Sequence, residues 1–530
     1  MPTALKRLGY AAWLALVIAF AAVHAVHLGA DFPNHTPWFR DWAKYTDEGW
    51  YGNAAIRAHL FGHWYLPGDF NPAPAVPVWP FLEWLLFFLT GVTVEAARGL
   101  AVAFFFLNLL LSYFLLRGRG PRWMLLLALT ILATSPFLYC FSRLAILEPL
   151  LIALTLGALN LAIRLPQMSK PGRGAVAIGL LFTLMLLTKT TAVFLLPALA
   201  WAVWATFGDE RRAAAVRSLL LAALASAASF GAWMALLIAR GLIVDYRYLF
   251  YINSYPKPHN LWWPFVSLWW SVHGGLWVDH ILIPLAGFLV LMAVAGHHLA
   301  WGRALMQDPV FGASVLVVAG YIVFMTYQDH PQPRYFAVVF FFCALILAQG
   351  AAALLSAKGL IHQAGWGALA VITGASAANA AWILGYALHP EYTFVTAAQE
   401  LTHYIDQHPN GNRLLVSISG DEVSLMTHLP SLCDDFSTPI PGMPDLPAKL
   451  GHYHPGWYAA WNDLDPGTLA DLHTHFSLEQ VASFHAMDDP ERNVLVLFKL
   501  HPLAGGKVRD QGDMNLRDPL PNDRIEIPIE

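Results

Sequence analysis

The chain has 530 residues, 57% of them hydrophobic and only 12% charged, with a formal net charge of -4. A soluble globular protein carries about twice that share of charge, so a fold bathed in water throughout is excluded. No basic tract runs along the chain, which removes nucleic acid as a partner. Cys140, Cys343 and Cys433 lie too far apart to suggest a disulfide framework or a CxxC metal site.

Apolar runs of bilayer length, about 17 to 25 residues, fall at 8–28, 98–116, 123–141, 148–164, 175–188, 191–207, 218–239, 280–299, 309–327, 336–354 and 366–387. Lys6 and Arg7 precede the first, which places the N-terminus in the cytoplasm. A cleaved signal peptide ending near Ala25 to Ala30 is the alternative reading of that run. Alternation puts the turns at 117–122, 164–173, 209–217, Arg303 and Lys358 inside, and these are short and mostly basic. The outer side receives 29–97, 142–147, the turn at Lys189, 240–278, 328–334 and everything after about 388. Segments 76–90 and 261–277 are apolar but carry prolines, Glu83 and His273. They read as interfacial or half-inserted helices on the outer face.

Beyond His389-Pro390 the composition turns polar. Spacing predicts a helix over 394–408, a strand over 414–418, a helix over 422–429, a loop over 441–455, a helix over 469–476 and a strand over 494–498. Alternating helix and strand imply a small α/β domain. The tail from 503 has no periodicity and reads as disordered. The expected architecture is therefore a polytopic α-helical membrane protein with about eleven spans. A membrane catalytic domain covers 1–389, including an outer loop over 29–97. An extracytoplasmic α/β domain covers 390–502, and a tail covers 503–530.

Four polar features fall on the outer side. Tyr45-Thr46-Asp47-Glu48-Gly49-Trp50-Tyr51 follows the first span. Ser142-Arg143-Leu144-Ala145-Ile146-Leu147-Glu148-Pro149 joins the third and fourth, Thr188-Lys189-Thr190 the fifth and sixth, and Gln332-Pro333-Arg334-Tyr335 opens the tenth. Carboxylates beside a bilayer are costly unless solvated or used. Here they can deprotonate a hydroxyl or hold a divalent metal, and the cations can hold a phosphate, arginine in bidentate fashion. Plainer roles compete. Asp47 or Glu48 can cap a helix through Gly52 to Phe61. Glu148-Pro149 can open a helix, and Arg143 and Lys189 can be interfacial anchors. His24, His27, His35, His59 and His63 invite a zinc reading, and His59 and His63 stand i,i+4, but no third ligand is evident.

In their order, these features resemble the polyprenol-phosphate-dependent glycosyltransferases of the GT-C superfamily, in the branch with protein O-mannosyltransferases and lipid A aminoarabinose transferases. Asp47, Glu48 and Tyr51 match an Asp-Glu-x-x-Tyr-type motif, and Ile56-Arg57 partly matches a following Ala-Arg. Ser142, Arg143, Leu147, Glu148 and Pro149 match a Ser-Arg-x-x-x-Leu-Asp-Pro-like motif. Leu187, Thr188 and Lys189 match a Leu-x-Lys-Gly-like turn, and Arg334-Tyr335 a late Arg-Tyr. The likeness covers roughly 1–350. The chain departs from the pattern at Glu148, where aspartate is usual, at Asn71-Pro72 in place of Lys-Pro, and at Thr190 in place of glycine.

The resemblance implies a polyprenyl-phosphate-linked sugar as donor and a hydroxyl of protein, lipid or glycan as acceptor. Asp47 would be the base, assisted by Glu48 and Glu148. A divalent cation (Mg or Mn) on Asp47 and Glu148 is the candidate cofactor. Tyr51, Arg57, Arg143, Lys189, Arg334 and Tyr335 would line the donor site. A single displacement would invert the anomeric centre, on the outer face of what would be a bacterial plasma membrane. Two other classes stand beside this one: a lipid or solute flippase or transporter, and a non-catalytic scaffold. Against transport, no inverted repeat is visible and the acids lie in an outer loop.

Overall fold

The computed structural model describes residues 3–31, 47–66, 69, 71–208, 211–247, 249, 262–263, 281–326, 334–417, 420–433, 445–462, 464, 466–486 and 493–504. Its helices are α1 (Thr3–Val23), α2 (Asp47–Phe61), α3 (Val78–Thr90), α4 (Val94–Leu116), α5 (Arg122–Ala133), α6 (Pro136–Phe141), α7 (Glu148–Ala162), α8 (Pro171–Thr188), α9 (Leu196–Phe207), α10 (Arg212–Arg240) and α11 (Ile243–Arg247). There follow α12 (Leu282–Ala295), α13 (Ala300–Gln307), α14 (Pro309–Thr326), α15 (Tyr335–Ser356), α16 (Leu360–Leu388), α17 (Thr393–Gln407), α18 (Gly420–Thr427), α19 (Leu446–Tyr453) and α20 (Pro466–Leu472).

Among the described residues, eight helical stretches are long and apolar enough to cross a bilayer. They lie in α1, α4, α8, the 3-10 turn with α9 (190–207), α10, α14, α15 and α16 with α17. The pair α12 and α13, bent by 114°, would make a ninth. The chain is an integral membrane protein. α5 and α7 occupy the third and fourth expected runs but are shorter than a full span. The third run, expected to be continuous over 123–141, is broken. Ser135 leaves the helical region and accepts a hydrogen bond from Leu138 N, and Pro136 opens α6. The segment 76–90 is helical, as α3. Most of 261–277, residues 505–530 of the tail and Gln332-Pro333 lie outside the described residues.

α8 and α10 approach to backbone contact, because a Cβ on Gly179 would stand 2.1 Å from Ala222 O. Small residues at a crossing are how membrane helices gain packing without a hydrophobic drive. Beside that crossing the Thr183 hydroxyl bonds Ser229 Oγ at 2.8 Å.

After α16 the chain forms one five-stranded sheet of β1 (Leu415–Ser417), β2 (Ser431–Cys433), β3 (Trp457–Trp461), β4 (Phe476–His485) and β5 (Val494–Pro502), in the order β2-β1-β3-β5-β4. β1 pairs parallel with β2 and β3, while β5 pairs antiparallel with β3 and β4. Three expectations need correcting. The loop over 441–455 contains α19, capped by Asp445 through Ala448 N at 2.9 Å. The helix over 469–476 ends at Leu472, and Phe476 starts β4. The apolar run Trp457–Trp461, read as nothing, is the central strand β3. Being buried on both faces, it has no polar alternation to betray it.

That sheet serves two cores. Tyr458 and Ala460 pack with Leu446, Leu450 and Leu472 under α19 and α20. Trp457, Ala459 and Trp461, on the opposite face, join α17, α18 and the apolar cluster of the membrane helices. The C-terminal sheet domain is thus continuous with the core of the helical part. Asp31, just past α1, fixes its first helix: its carboxylate accepts from Thr393 N at 2.8 Å and Phe394 N at 3.1 Å.

Candidate active site

α2 begins at Asp47 and is buried from Glu48 to Arg57, which is unusual for a helix with four ionisable or amide side chains in that stretch. Such burial requires partners, and they arrive from four other elements. α7 opens at Glu148 with Pro149 in its first turn. α8 ends at Thr188, and Lys189 then adopts extended backbone before the 3-10 turn, so its side chain turns inward. Arg334 precedes the first residue of α15.

These breaks bring the expected residues together. Lys189 Nζ pairs with Glu148 Oε1. Arg334 pairs with Asp47, and its Nε lies 3.9 Å from Glu148 Oε1. Lys189 sits 4.7 Å from the Tyr335 ring centroid, and the Arg334 guanidinium lies 5.5 Å from Tyr335 and 5.8 Å from Tyr51. Glu148 is fully buried, whereas the Asp47 side chain is 21% exposed. Asp47 is the more exposed of the two carboxylates. Glu148 Oε2 has no hydrogen-bond partner among the described residues.

Glu48, one residue along, is held differently. Arg98 Nε and Nη2 donate to its two oxygens, each at 2.8 Å, and Ala145 N donates to Oε1 at 2.8 Å. Arg98 also donates to Leu28 O and Ala30 O. Glu48 thereby ties α2 to α4, through Arg98 to the segment after α1, and to the turn before α7. Arg143 donates to Val26 O at 2.7 Å and His27 O at 2.5 Å, over the Tyr139 ring. Arg57 pairs with Asp69 at 2.6 Å. The structure therefore brings Asp47, Tyr51, Glu148, Lys189, Arg334 and Tyr335 to one cluster. It sets Glu48, Arg57 and Arg143 to bonds within the fold.

Sequence reasoning missed Arg98 and Asp69. The signal for Arg98 was a cation at the first position of an apolar run. Asp69 gave no signal, since its partner Lys449 lies 380 residues away.

The donor set does not suit a divalent ion. Among the described residues no group of three histidine, cysteine or acidic side chains converges. Asp47 and Glu148 are already matched with a guanidinium and an ammonium, whose charge a metal would have to displace. Of the candidate histidines, His24 lies within hydrogen-bond distance of Ser142 Oγ and Ala133 O, His27 of Tyr392 Oη and His59 of Trp84 O, and His35 lies outside the described residues.

No family model and no curated protein sequence matches the chain. Solved structures do. The chain is similar to ArnT from Cupriavidus metallidurans bound to undecaprenyl phosphate, with TM-score 0.58 and 14% identity over 92% of this chain and 98% of that one. It is also similar to the archaeal oligosaccharyltransferase AglB from Archaeoglobus fulgidus, in complex with an inhibitory peptide and a dolichol-phosphate. There the TM-score is 0.51 and the identity 11%, over 85% of this chain and 69% of that one. Both have the GT-C fold, and so does this chain.

Proposed function

We propose that this GT-C chain transfers a sugar from a polyprenyl-phosphate donor to an acceptor hydroxyl on the extracytoplasmic face, inverting the anomeric centre. One observation carries the reading: a partly exposed carboxylate, Asp47, stands beside two buried cations that share Glu148. Asp47 takes the acceptor's hydroxyl proton as the oxygen attacks the anomeric carbon. The bond from that carbon to the phosphate oxygen breaks, and polyprenyl phosphate leaves with the electron pair. Arg334 and Lys189 receive the charge that develops on it. Glu148 aims both cations, and Tyr51 and Tyr335 flank them as apolar walls. Glu48, Arg57 and Arg143 hold the frame. ArnT has been seen with undecaprenyl phosphate and AglB with dolichol-phosphate, which supports a lipid-phosphate donor here.

The test is release of polyprenyl phosphate from labelled polyprenyl-phosphate sugars in proteoliposomes, with and without EDTA. Wild type should release it and Asp47→Asn should not, at equal expression. Activity that survives Asp47→Asn would sink the base assignment. No release by folded wild type across a broad donor panel would move the weight to transport or scaffolding. Loss of activity in the EDTA arm would restore a divalent cation on Asp47 and Glu148.

A further inference from the structure

The C-terminal end of α2 carries a second buried ion cluster. Asp69 lies in the loop after α2, with no exposed side-chain surface. Arg57, on the last turns of α2, donates to Asp69 Oδ2 at 2.6 Å. Lys449, on α19 of the outer domain, donates to Asp69 Oδ1 at 2.9 Å and to Cys433 O at 2.7 Å. Burial pushes the Asp69 carboxyl up, but Lys449 and Arg57 outweigh it and hold it below its usual value. The same loop is tied on its other side, where Asn71 N donates to Asp245 Oδ1 at 3.3 Å and Trp233 donates to Pro74 O at 2.9 Å.

α2 is therefore pinned at both ends by buried ion pairs. Its N-terminal end is gripped from the membrane helices, through Glu48 and Arg98. Its C-terminal end is gripped from the outer domain, through Asp69 and Lys449. Between them the helix is covered along ten consecutive residues, so a rigid rod joins the two grips. α18 packs along it as well. Ion pairs of this kind are poor sources of net stability, but they fix one register, because any slip strands a buried charge.

We propose that Lys449 and Asp69 are positioning residues for the reaction: through Arg57 and α2, the outer domain sets where Asp47 stands relative to Arg334. This rests on the reading of Asp47 as the base. The outer domain would then be half of the active-site frame and not a separate recognition module. Asp31, which ties the same domain at Thr393 and Phe394 and among the described residues bonds none of α2, provides the comparison.

Two measurements on the full-length protein in nanodiscs test this, and the first needs no activity. Amide exchange over 48–53, at the far end of α2 from Lys449, should quicken about tenfold in Lys449→Met. It should stay at the wild-type rate in Asp31→Ala. Faster exchange confined to 57–61 and 446–453 would overturn the proposal. The second is turnover. Per folded molecule, Lys449→Met should lower kcat about tenfold with donor KM unchanged, and Lys449→Arg should restore most of it. Wild-type kcat in Lys449→Met, with only a lower Tm, would reduce the cluster to a structural tie. Should Lys449→Met not fold, the apolar triple Arg57→Met, Asp69→Leu, Lys449→Met serves in its place. Neutral replacement of a buried ionic group is often tolerated, and the triple should show the same loss of kcat; wild-type kcat in it would overturn the proposal. Silence of the wild-type enzyme would count against the function reading alone, because the exchange measurement stands without it.

Discussion

The two ion clusters at the ends of α2 are built from the same residue types and behave as opposites. At the C-terminal end both oxygens of Asp69 accept from cations and Cys433 N stands 3.5 Å away. Glu48 is likewise closed by Arg98 and Ala145 N. At the N-terminal end Asp47 is partly exposed and Glu148 Oε2 has no hydrogen-bond partner among the described residues. A closed cluster holds a shape. An open one keeps atoms for something that arrives. The lesson is that a buried carboxylate is not a candidate for chemistry by its burial, but by the bonds it leaves unmade.

The sharpest way to break that contrast is to neutralise one carboxylate of each kind. Glu48→Gln should strand Arg98 and cost about 3 kcal/mol of stability, and the folded fraction should lose about tenfold in kcat, because α2 loses the grip nearest Asp47. Glu148→Gln strands buried Lys189 and should cost a comparable amount of stability, but kcat should fall about 100-fold. Thermal unfolding and turnover per folded molecule, measured on both, decide it. Equal losses of kcat would erase the distinction between closed and open.

A smaller effect is expected at Lys189. Lys189→Ala should raise the donor KM about tenfold and move Tm less, because the residue faces the leaving phosphate in this reading. An unchanged KM would return it to the role of an interfacial anchor. Smaller again is Gly52→Ala, in the middle of α2. A Cβ there would stand 2.3 Å from Glu83 Oε2 on α3. The substitution should cost roughly 1–3 kcal/mol and shift α2 between its two grips. A Tm within a degree of wild type would mean that α3 yields easily.

Much of this was legible in the sequence, for a definable reason. The helices in the membrane announce themselves because lipid forces every spanning segment into an apolar run. Asp47, Glu148, Lys189 and Arg334 were visible because a charge next to such a run needs a reason. What could not be read was pairing across sequence distance. Glu48 and Asp47 are neighbours in the chain, yet only the fold assigns one to Arg98 and the other to Arg334. Lys449 gave no signal of its own, because it lies in α19, where a loop was expected. The sheet was half hidden for the same reason, since Trp457–Trp461 is buried on both faces and shows no period of two.

The loop between the two clusters offers the mildest test. Asp245, on α11, accepts from Asn71 N beside Asp69. Burial pushes its carboxyl up to about 7, against the pull of the Asn71 hydrogen bond, and Asp69 adds to the rise. Its folded value thus lies above its unfolded value of about 4. Such a group stabilises the fold fully below pH 4, and the contribution is lost as pH rises through about 7. Asp69 has the opposite sign: with its value held low, its contribution is present above the usual carboxylate range and fades only in stronger acid. Between pH 4 and 7 the slope belongs to Asp245 alone of this pair. Asp245→Asn should therefore flatten the decline of Tm across that window and raise Tm slightly at pH 8, leaving the acid limb below pH 4 as it was. A wild-type slope in Asp245→Asn would show that the carboxylate next to Asn71 is already ionised in the folded protein. In that case the loop after α2 would hold two adjacent negative charges, and the grip of Lys449 on Asp69 would have to offset both.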